Sequence, residues 1–160
     1  MLRLKGVDAE VTYDCDPTKD EPTIFMSTHA SSLDIFATAA YSITPISWIM
    51  KRSLSFIPWY GIVAMKGGNV PINRKKRDSA IESLKMAANQ IRKEKKKISI
   101  APEGTRRRKK SIGSVEHLLP FKKGPFYMAK DAKASIIPIV WIGCRRLSNG
   151  FTFNQGKIMM

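Results

Sequence analysis

Cysteine and histidine are nearly missing from this 160-residue sequence, with two of each, and acidic residues are scarce beside basic ones, 13 against 28. Cys15 and Cys144 stand near opposite ends of the chain and belong to no CxxC or Cys/His cluster. A disulfide framework is therefore excluded and a reducing, intracellular setting is expected. Only His29 and His117 could join them, so no metal site is expected either. Long apolar runs are lacking as well. The longest uncharged stretch, Ile35 to Met50, has 16 residues and is broken by Ser42, Thr44, Pro45 and Ser47, whereas a membrane-spanning helix needs about 20 mostly apolar residues. The first six residues lead into the acidic stretch Asp8 to Glu21 rather than an apolar run, so a secretory leader is not expected.

What is present is the composition of one globular domain, 43% hydrophobic and 26% charged. A domain of this size buries roughly two-thirds of its unfolded surface and folds without a metal or disulfide staple. The charge is uneven: residues 1–50 hold 3 basic and 7 acidic side chains, residues 51–160 hold 25 and 6. Such a chain calls for an anionic partner: nucleic acid, an anionic membrane surface or a phosphorylated small molecule. Ser53 to Met65 sets Phe56, Ile57, Trp59 and Tyr60 beside Lys51, Arg52 and Lys66. Two readings stay open for it, a buried core segment and an aromatic-plus-basic membrane-interface segment.

Elements alternate along the chain, predicting an α/β fold with a mixed, mostly parallel central sheet flanked by helices in a single domain spanning 1–160. Strands are expected at Thr23–Ser27, Ile46–Met50, Asn69–Ile72, Ile98–Ala101 and Ile136–Trp141, with a last one from about Phe151. Helices are expected at Ser32–Tyr41, at Asp78 to about Lys95 and at Gly124–Lys133. The second would be capped by Asp78 or Ser79 and would bury a stripe of Ile81, Leu84, Ala88 and Ile91. Three basic clusters stand out, Arg74–Arg77, Arg92–Lys97 and Arg106–Lys110. The middle one ends a helix, where cations suit the dipole, and reads as a solvated face.

His29 ends the first of these strands, and Asp34 follows five positions on. On one continuous helix that spacing would turn the two about 140° apart, so they can meet only if His29 precedes the helix. Ser31-x-x-Asp34 supplies such a break, being a capping-box-like helix start. Asp34 then has two possible roles. It caps the helix, or it orients a histidine whose other ring nitrogen takes a proton from a hydroxyl, the arrangement that acyl transfer to an alcohol uses.

His29-x-Ser31-x-x-Asp34 resembles the first motif of the glycerolipid acyltransferases, the 1-acyl-sn-glycerol-3-phosphate (lysophosphatidic acid) acyltransferase family. Three further blocks follow in that family's order. Lys51, Leu54, Pro58 and Gly61, then Gly68 and Ile72-Asn73-Arg74, are similar to the second, with Asn73 where Asp is commoner. Pro102-Glu103-Gly104-Thr105-Arg106 matches the third, with Ala101 in place of the usual aromatic residue. Leu119-Pro120-Phe121-Lys122-Lys123-Gly124, with Phe126 and Ala129, and then Ile136-Ile137-Pro138-Ile139, resemble the stretch that ends in the fourth. Thr28 stands where the family usually has Asn. The family also has segments before its first motif and after its last strand, so the sequence is expected to be the catalytic part of a longer chain.

The resemblance implies an O-acyltransferase in which His29 is the general base and Asp34 its orienter. The acceptor oxygen would attack the thioester of acyl-CoA or acyl-carrier protein directly, without metal or prosthetic group. Arg74 and Arg106 would hold the acceptor's phosphate, with Lys51 among the substrate-binding residues. Glu103 would bond a glycerol hydroxyl or position Arg106, while Gly104 and Thr105 would shape a turn and turn backbone N–H groups to the phosphate. Pro138 would stiffen a strand near the acyl donor. Lysophosphatidic acid is the expected acceptor, with other lysophospholipid headgroups close behind. The expected setting is a membrane surface with the site facing the cytosol, at the endoplasmic reticulum or a bacterial inner membrane, with no obligate protein partner. Basic modules that only bind a membrane or a nucleic acid are the alternatives from another class. No stacking pattern of aromatics accompanies the basic runs, so nucleic acid is not an expected partner.

Overall fold

The computed structural model describes residues 7–73, 76–106, 118–144, 148–149, 152–153 and 156–159. Its frame is a five-stranded sheet built on β2 (Thr23–Ser27), β3 (Ser47–Lys51), β4 (Val70–Ile72), β5 (Lys97–Ile100) and β6 (Ser135–Ile139). The strand order is β4-β3-β5-β2-β6 and every pairing in it is parallel. Parallel strands need crossovers that lay helices on the faces, so a central strand is covered on both sides. That explains the unbroken apolar character of β2. Ile24 and Met26 face one core and Phe25 the other.

The first core packs Ile24, Ile49, Ile72, Ile98 and Ile100 against α3 (Arg77–Glu94) and α4 (Gly124–Ala132). The second packs Phe25, Ile139, Trp141 and Cys144 against Leu33, Ala37 and Tyr41 of α1 (Leu33–Tyr41). A short parallel pair, β1 (Val7–Glu10) with β9 (Gly156–Met159), and an antiparallel pair, β7 (Ser148–Asn149) with β8 (Thr152–Phe153), lie outside the main sheet. The predicted α/β class and largely parallel sheet are found, and the expected strands fall within one or two residues of those observed, apart from the last, which starts near β8 and is followed by β9.

Two details differ from expectation, and one open choice is narrowed. The N-cap of α3 is Lys76, with no side-chain cap bond, because Arg77 already takes the first helical position and Asp78 falls inside the first turn. The buried face of that helix runs through Leu84, Ala87, Ala88 and Ile91, with Ala80 packed beside them, so of the expected stripe only Ile81 is exposed. Small residues on this face let the helix approach the sheet closely. Ser53 to Met65 is not a buried core segment: it forms a 3-10 helix, Arg52–Phe56, and α2, Tyr60–Lys66, which bury only Gly61 and Ala64 and leave most of their large side chains exposed. The basic cluster at the end of α3 behaves as a solvated face. Lys95 pairs with Asp20, and Lys97 donates to the carbonyl of Pro17 at 2.8 Å. No helix among the described residues is long and apolar enough to cross a membrane.

All five strands of the sheet end at one edge. From β2 the chain leaves through α1 towards β3, and from β5 it leaves through α4 on the opposite face towards β6. Neighbouring strands whose onward connections part in this way open a crevice at their carboxyl ends. His29 follows β2 and Glu103 follows β5, so both stand at its mouth.

Candidate active site

The loop after β2 is held before its side chains are considered. Thr28 extends the pairing with β6, its N–H donating to the Ile139 carbonyl at 3.1 Å, while its hydroxyl oxygen accepts the Trp141 N–H at 3.2 Å. The Thr28 hydroxyl thus makes a side-chain hydrogen bond of its own at this position. Next in line, the His29 N–H donates to Oε1 of Glu103 at 3.3 Å. The imidazole therefore leaves a backbone fixed from β6 on one side and from the β5 loop on the other.

His29 Nδ1 lies 3.2 Å from both carboxylate oxygens of Asp34, which is 3% exposed. A carboxylate only accepts, so Nδ1 is the donor in this contact, which in the neutral imidazole leaves the lone pair on Nε2. The same carboxylate accepts the Ser31 N–H at 3.1 Å, and the Ser31 hydroxyl accepts the Leu33 N–H at 2.9 Å. The two roles open for Asp34 are thus filled together: it closes a reciprocal cap at the start of α1 and grips the histidine. One turn on, Thr38 donates to the Asp34 carbonyl at 2.7 Å and accepts the Trp141 indole N–H at 2.9 Å. Thr38 and Trp141 were not among the expected site residues. A Thr four positions after a helical Asp is a readable back-bonding signal, whereas a Trp in a distant segment gives none. The negative charge of Asp34 is also felt at Cys144, whose buried thiol is pushed up to about 12, first by burial and then by that carboxylate.

Glu103 is 2% exposed, and its carboxylate accepts backbone N–H groups of His29 and, at 3.0 Å, of Leu119. It ties together three segments far apart in sequence. Gly104 shapes the turn, as expected, with φ +73°. Its N–H, however, donates to the Ala101 carbonyl at 3.0 Å, which corrects the expectation that it points to a phosphate. The Lys122 N–H in turn donates to the Pro102 carbonyl at 2.9 Å. A Cβ built on Gly104 would come within 2.6 Å of Lys122 Cε, so the lysine stem crosses the glycine. Gly104→Ala is expected to cost about 1–3 kcal/mol from the left-handed backbone and to displace Lys122. Urea denaturation would show this as a lower midpoint at unchanged slope.

Arg106 is exposed and donates from Nη1 to the Ser32 hydroxyl at 2.6 Å, so the β5 loop reaches across to the start of α1. Thr105 is exposed beside it, and Lys51 is exposed at the carboxyl end of β3, on the same sheet edge. Arg74 and the cluster from Arg107 to Lys110 lie outside the described residues. Pro138 is exposed on β6, opposite Met26, where an edge strand tolerates its missing N–H. It borders a largely apolar cavity of about 420 Å³, lined also by Phe25, Thr38, Ile43, Ile137 and Val140.

A family model described as Acyltransferase matches residues 9–142, which takes in this whole constellation. The chain belongs to the Acyltransferase family. Among its relatives in this family, the 1-acyl-sn-glycerol-3-phosphate acyltransferase of Saccharomyces cerevisiae is 33% identical over 140 residues, covering 88% of this chain and 45% of the yeast protein. The enzyme of the same name from Haemophilus influenzae is 30% identical over 160 residues, covering 99% and 64%. The chain spans about half to two-thirds of the length of these acyltransferases. Its fold is that of the 1-acyl-sn-glycerophosphate (LPA) acyltransferase PlsC from Thermotoga maritima, with a TM-score of 0.71 at 22% identity over 95% of this chain and 58% of that one.

Proposed function

We propose that this acyltransferase moves an acyl group from acyl-CoA or acyl-carrier protein to the free hydroxyl of a lysophospholipid, with lysophosphatidic acid as the acceptor and phosphatidic acid as the product. The observation that carries the reading is the Asp34–His29 pair, with Nδ1 committed to the carboxylate at the open edge of a parallel sheet. The names of its yeast and Haemophilus relatives supply the acceptor. His29 Nε2 takes the acceptor's hydroxyl proton as the oxygen attacks the thioester carbonyl. The C–S bond of the resulting tetrahedral adduct breaks, and the leaving thiolate receives the proton from His29. Asp34 steadies the imidazolium between these two transfers. Acyl transfer of this kind needs no resident cofactor.

Arg106 and Arg74 serve as phosphate-binding guanidiniums in this reading, with Lys51 and Thr105 at the same edge. Glu103 acts as a positioning residue, holding the His29 backbone rather than meeting substrate. The apolar cavity beside Pro138 is the space offered to an acyl chain, and the site works at a membrane surface facing the cytosol. The direct test is transfer of labelled acyl groups from acyl-CoA to lysophosphatidic acid in reconstituted vesicles, with lysophosphatidylcholine as the competing acceptor. Absence of transfer to any lysophospholipid would overturn the reading. Arg106→Ala is expected to raise KM for lysophosphatidic acid by about 10–100-fold, since a charge-assisted bond to phosphate contributes about 1.5–3 kcal/mol. The KM for acyl-CoA should stay within about twofold. An equal rise for both substrates would place Arg106 in a structural role instead.

A further inference from the structure

The 3-10 helix and α2 form a hairpin built inside out. None of the residues of the 3-10 helix is buried, and α2 buries only Gly61 and Ala64. A Cβ on Gly61 would fall 2.0 Å from the Ser55 carbonyl oxygen, so the two helices touch backbone to backbone. Small residues fill the inside and, apart from the half-buried Leu54, the large ones are turned out. Trp59 is 82% exposed, Phe56 73% and Val63 71%, with Ile57, Tyr60, Ile62 and Met65 beside them.

The turn between the two helices adds a second cost. Trp59 has φ +62° and ψ −52°, and the Tyr60 N–H donates to the Pro58 carbonyl across it at 2.6 Å. This is the rare, strained form of γ-turn, and a bulky residue at its centre is an outlier. The chain therefore holds an indole in water on a strained backbone. A contiguous apolar ridge of this kind marks an interaction surface.

Charge identifies what the surface meets. From Ile35 to Arg77 the chain has no acidic residue and seven basic ones. Among these, Lys51, Arg52 and Lys66 are exposed and flank the ridge. Aromatic side chains beside exposed cations suit the interface of an anionic bilayer, the rings entering the headgroup boundary and the cations meeting phosphates. We infer that the hairpin from Arg52 to Lys66 is a bilayer-docking element for anionic phospholipid, with Trp59 as its leading side chain. The 3-10 helix follows directly from Lys51 at the carboxyl edge of the sheet, so docking brings the His29 edge to the lipid surface. The inference takes its purpose from the lysophospholipid reading above, but the exposed surface supports it independently.

The test is co-sedimentation of the chain with vesicles of phosphatidylcholine alone and of phosphatidylcholine with phosphatidylglycerol, at low and high salt, together with tryptophan quenching by brominated lipid. The parent chain should bind the anionic vesicles, lose part of that binding at high salt, and show quenching. Salt screens the cations but not the inserted rings. Trp59→Gly should lose the quenching and bind about tenfold more weakly. The same variant should melt no lower than the parent, because glycine accepts the positive φ without strain. It should keep its rate on a short-chain lysolipid dispersed as monomers to within about twofold. This pairing of weaker docking with undiminished stability is not expected of a core residue. A parent chain that stays in solution at low salt would overturn the inference, as would a Trp59→Gly variant that docks equally well. A dimer that dissociates in Trp59→Gly without change in vesicle binding would assign the surface to a second copy. Vesicle binding without acyl transfer to any acceptor would support this surface while overturning the proposed reaction.

Discussion

Replacing His29 by Ala is expected to lower acyl transfer by about 10²–10⁴-fold, the usual contribution of a positioned general base. The melting temperature should stay within about 2–4 °C of the parent, equivalent to about 1 kcal/mol at this chain length. His29 adds little to packing: it lies two residues past the end of β2, is only partly buried, and lies in neither hydrophobic core. Its backbone bond to Glu103 survives the substitution, because it is the N–H that donates. Initial rates with labelled acyl-CoA, together with a thermal melt, would check both halves. Activity within a few-fold of the parent would remove His29 as the base.

Asp34→Asn should cost nearly as much, about 10²–10⁴-fold, by a different route. The amide oxygen can still accept the Ser31 N–H, so the cap on α1 persists. Its NH₂ then faces His29 Nδ1, which has to accept, and the imidazole proton moves to Nε2, where the base is needed. Asp34→Ala also removes the cap and should add a stability loss of about 0.5–2 kcal/mol. Two measurements on the same two variants separate the two functions of one carboxylate: rate per folded molecule and urea midpoint. If Asp34→Asn keeps its full rate, the carboxylate serves only the start of the helix.

The strands were legible because their apolar residues fall in short runs, as in Ile24–Met26 of β2, or alternate along a short stretch that ends at a turn residue, as in Lys97–Ile100 before Pro102. Parallel strands covered on both faces leave this signature, and long-range pairing does not disturb it. The His29–Asp34 pair was legible because both residues lie within one strand-to-helix turn, where spacing alone limits the geometry. Glu103 was legible as a residue, but not the amides it holds. Its carboxylate accepts from the N–H groups of His29 and Leu119, and nothing in local sequence announces which distant amide a buried carboxylate meets. Gly104 shows the same limit. The turn could be expected from the glycine, but the acceptor of its N–H and the lysine stem lying over it depend on the return of the chain at Lys122. The segment from Ser53 to Met65 left two readings open, and the structure removes the buried-core one. Apolar composition ordinarily means burial, and here the backbones of the two short helices meet at Gly61 and direct the large side chains outward.

The position of β2 also bears on the order in which this chain can become active. It is an early strand in the sequence, yet its two neighbours are β5 and β6, with Thr23 aligned to Lys97 on one side and to Ser135 on the other. During synthesis, one edge of β2 can be closed once β5 has emerged, but the edge that β6 covers must wait open until more than a hundred further residues have left the ribosome. Only when β6 zips on does the Ile139 carbonyl fix Thr28, and only then does the indole of Trp141 lock Thr38 above Asp34. The setting of the His29–Asp34 pair is thereby tied to the last strand of the sheet. A nascent or truncated chain that ends before Ser135 should be a client for chaperones rather than a slow enzyme.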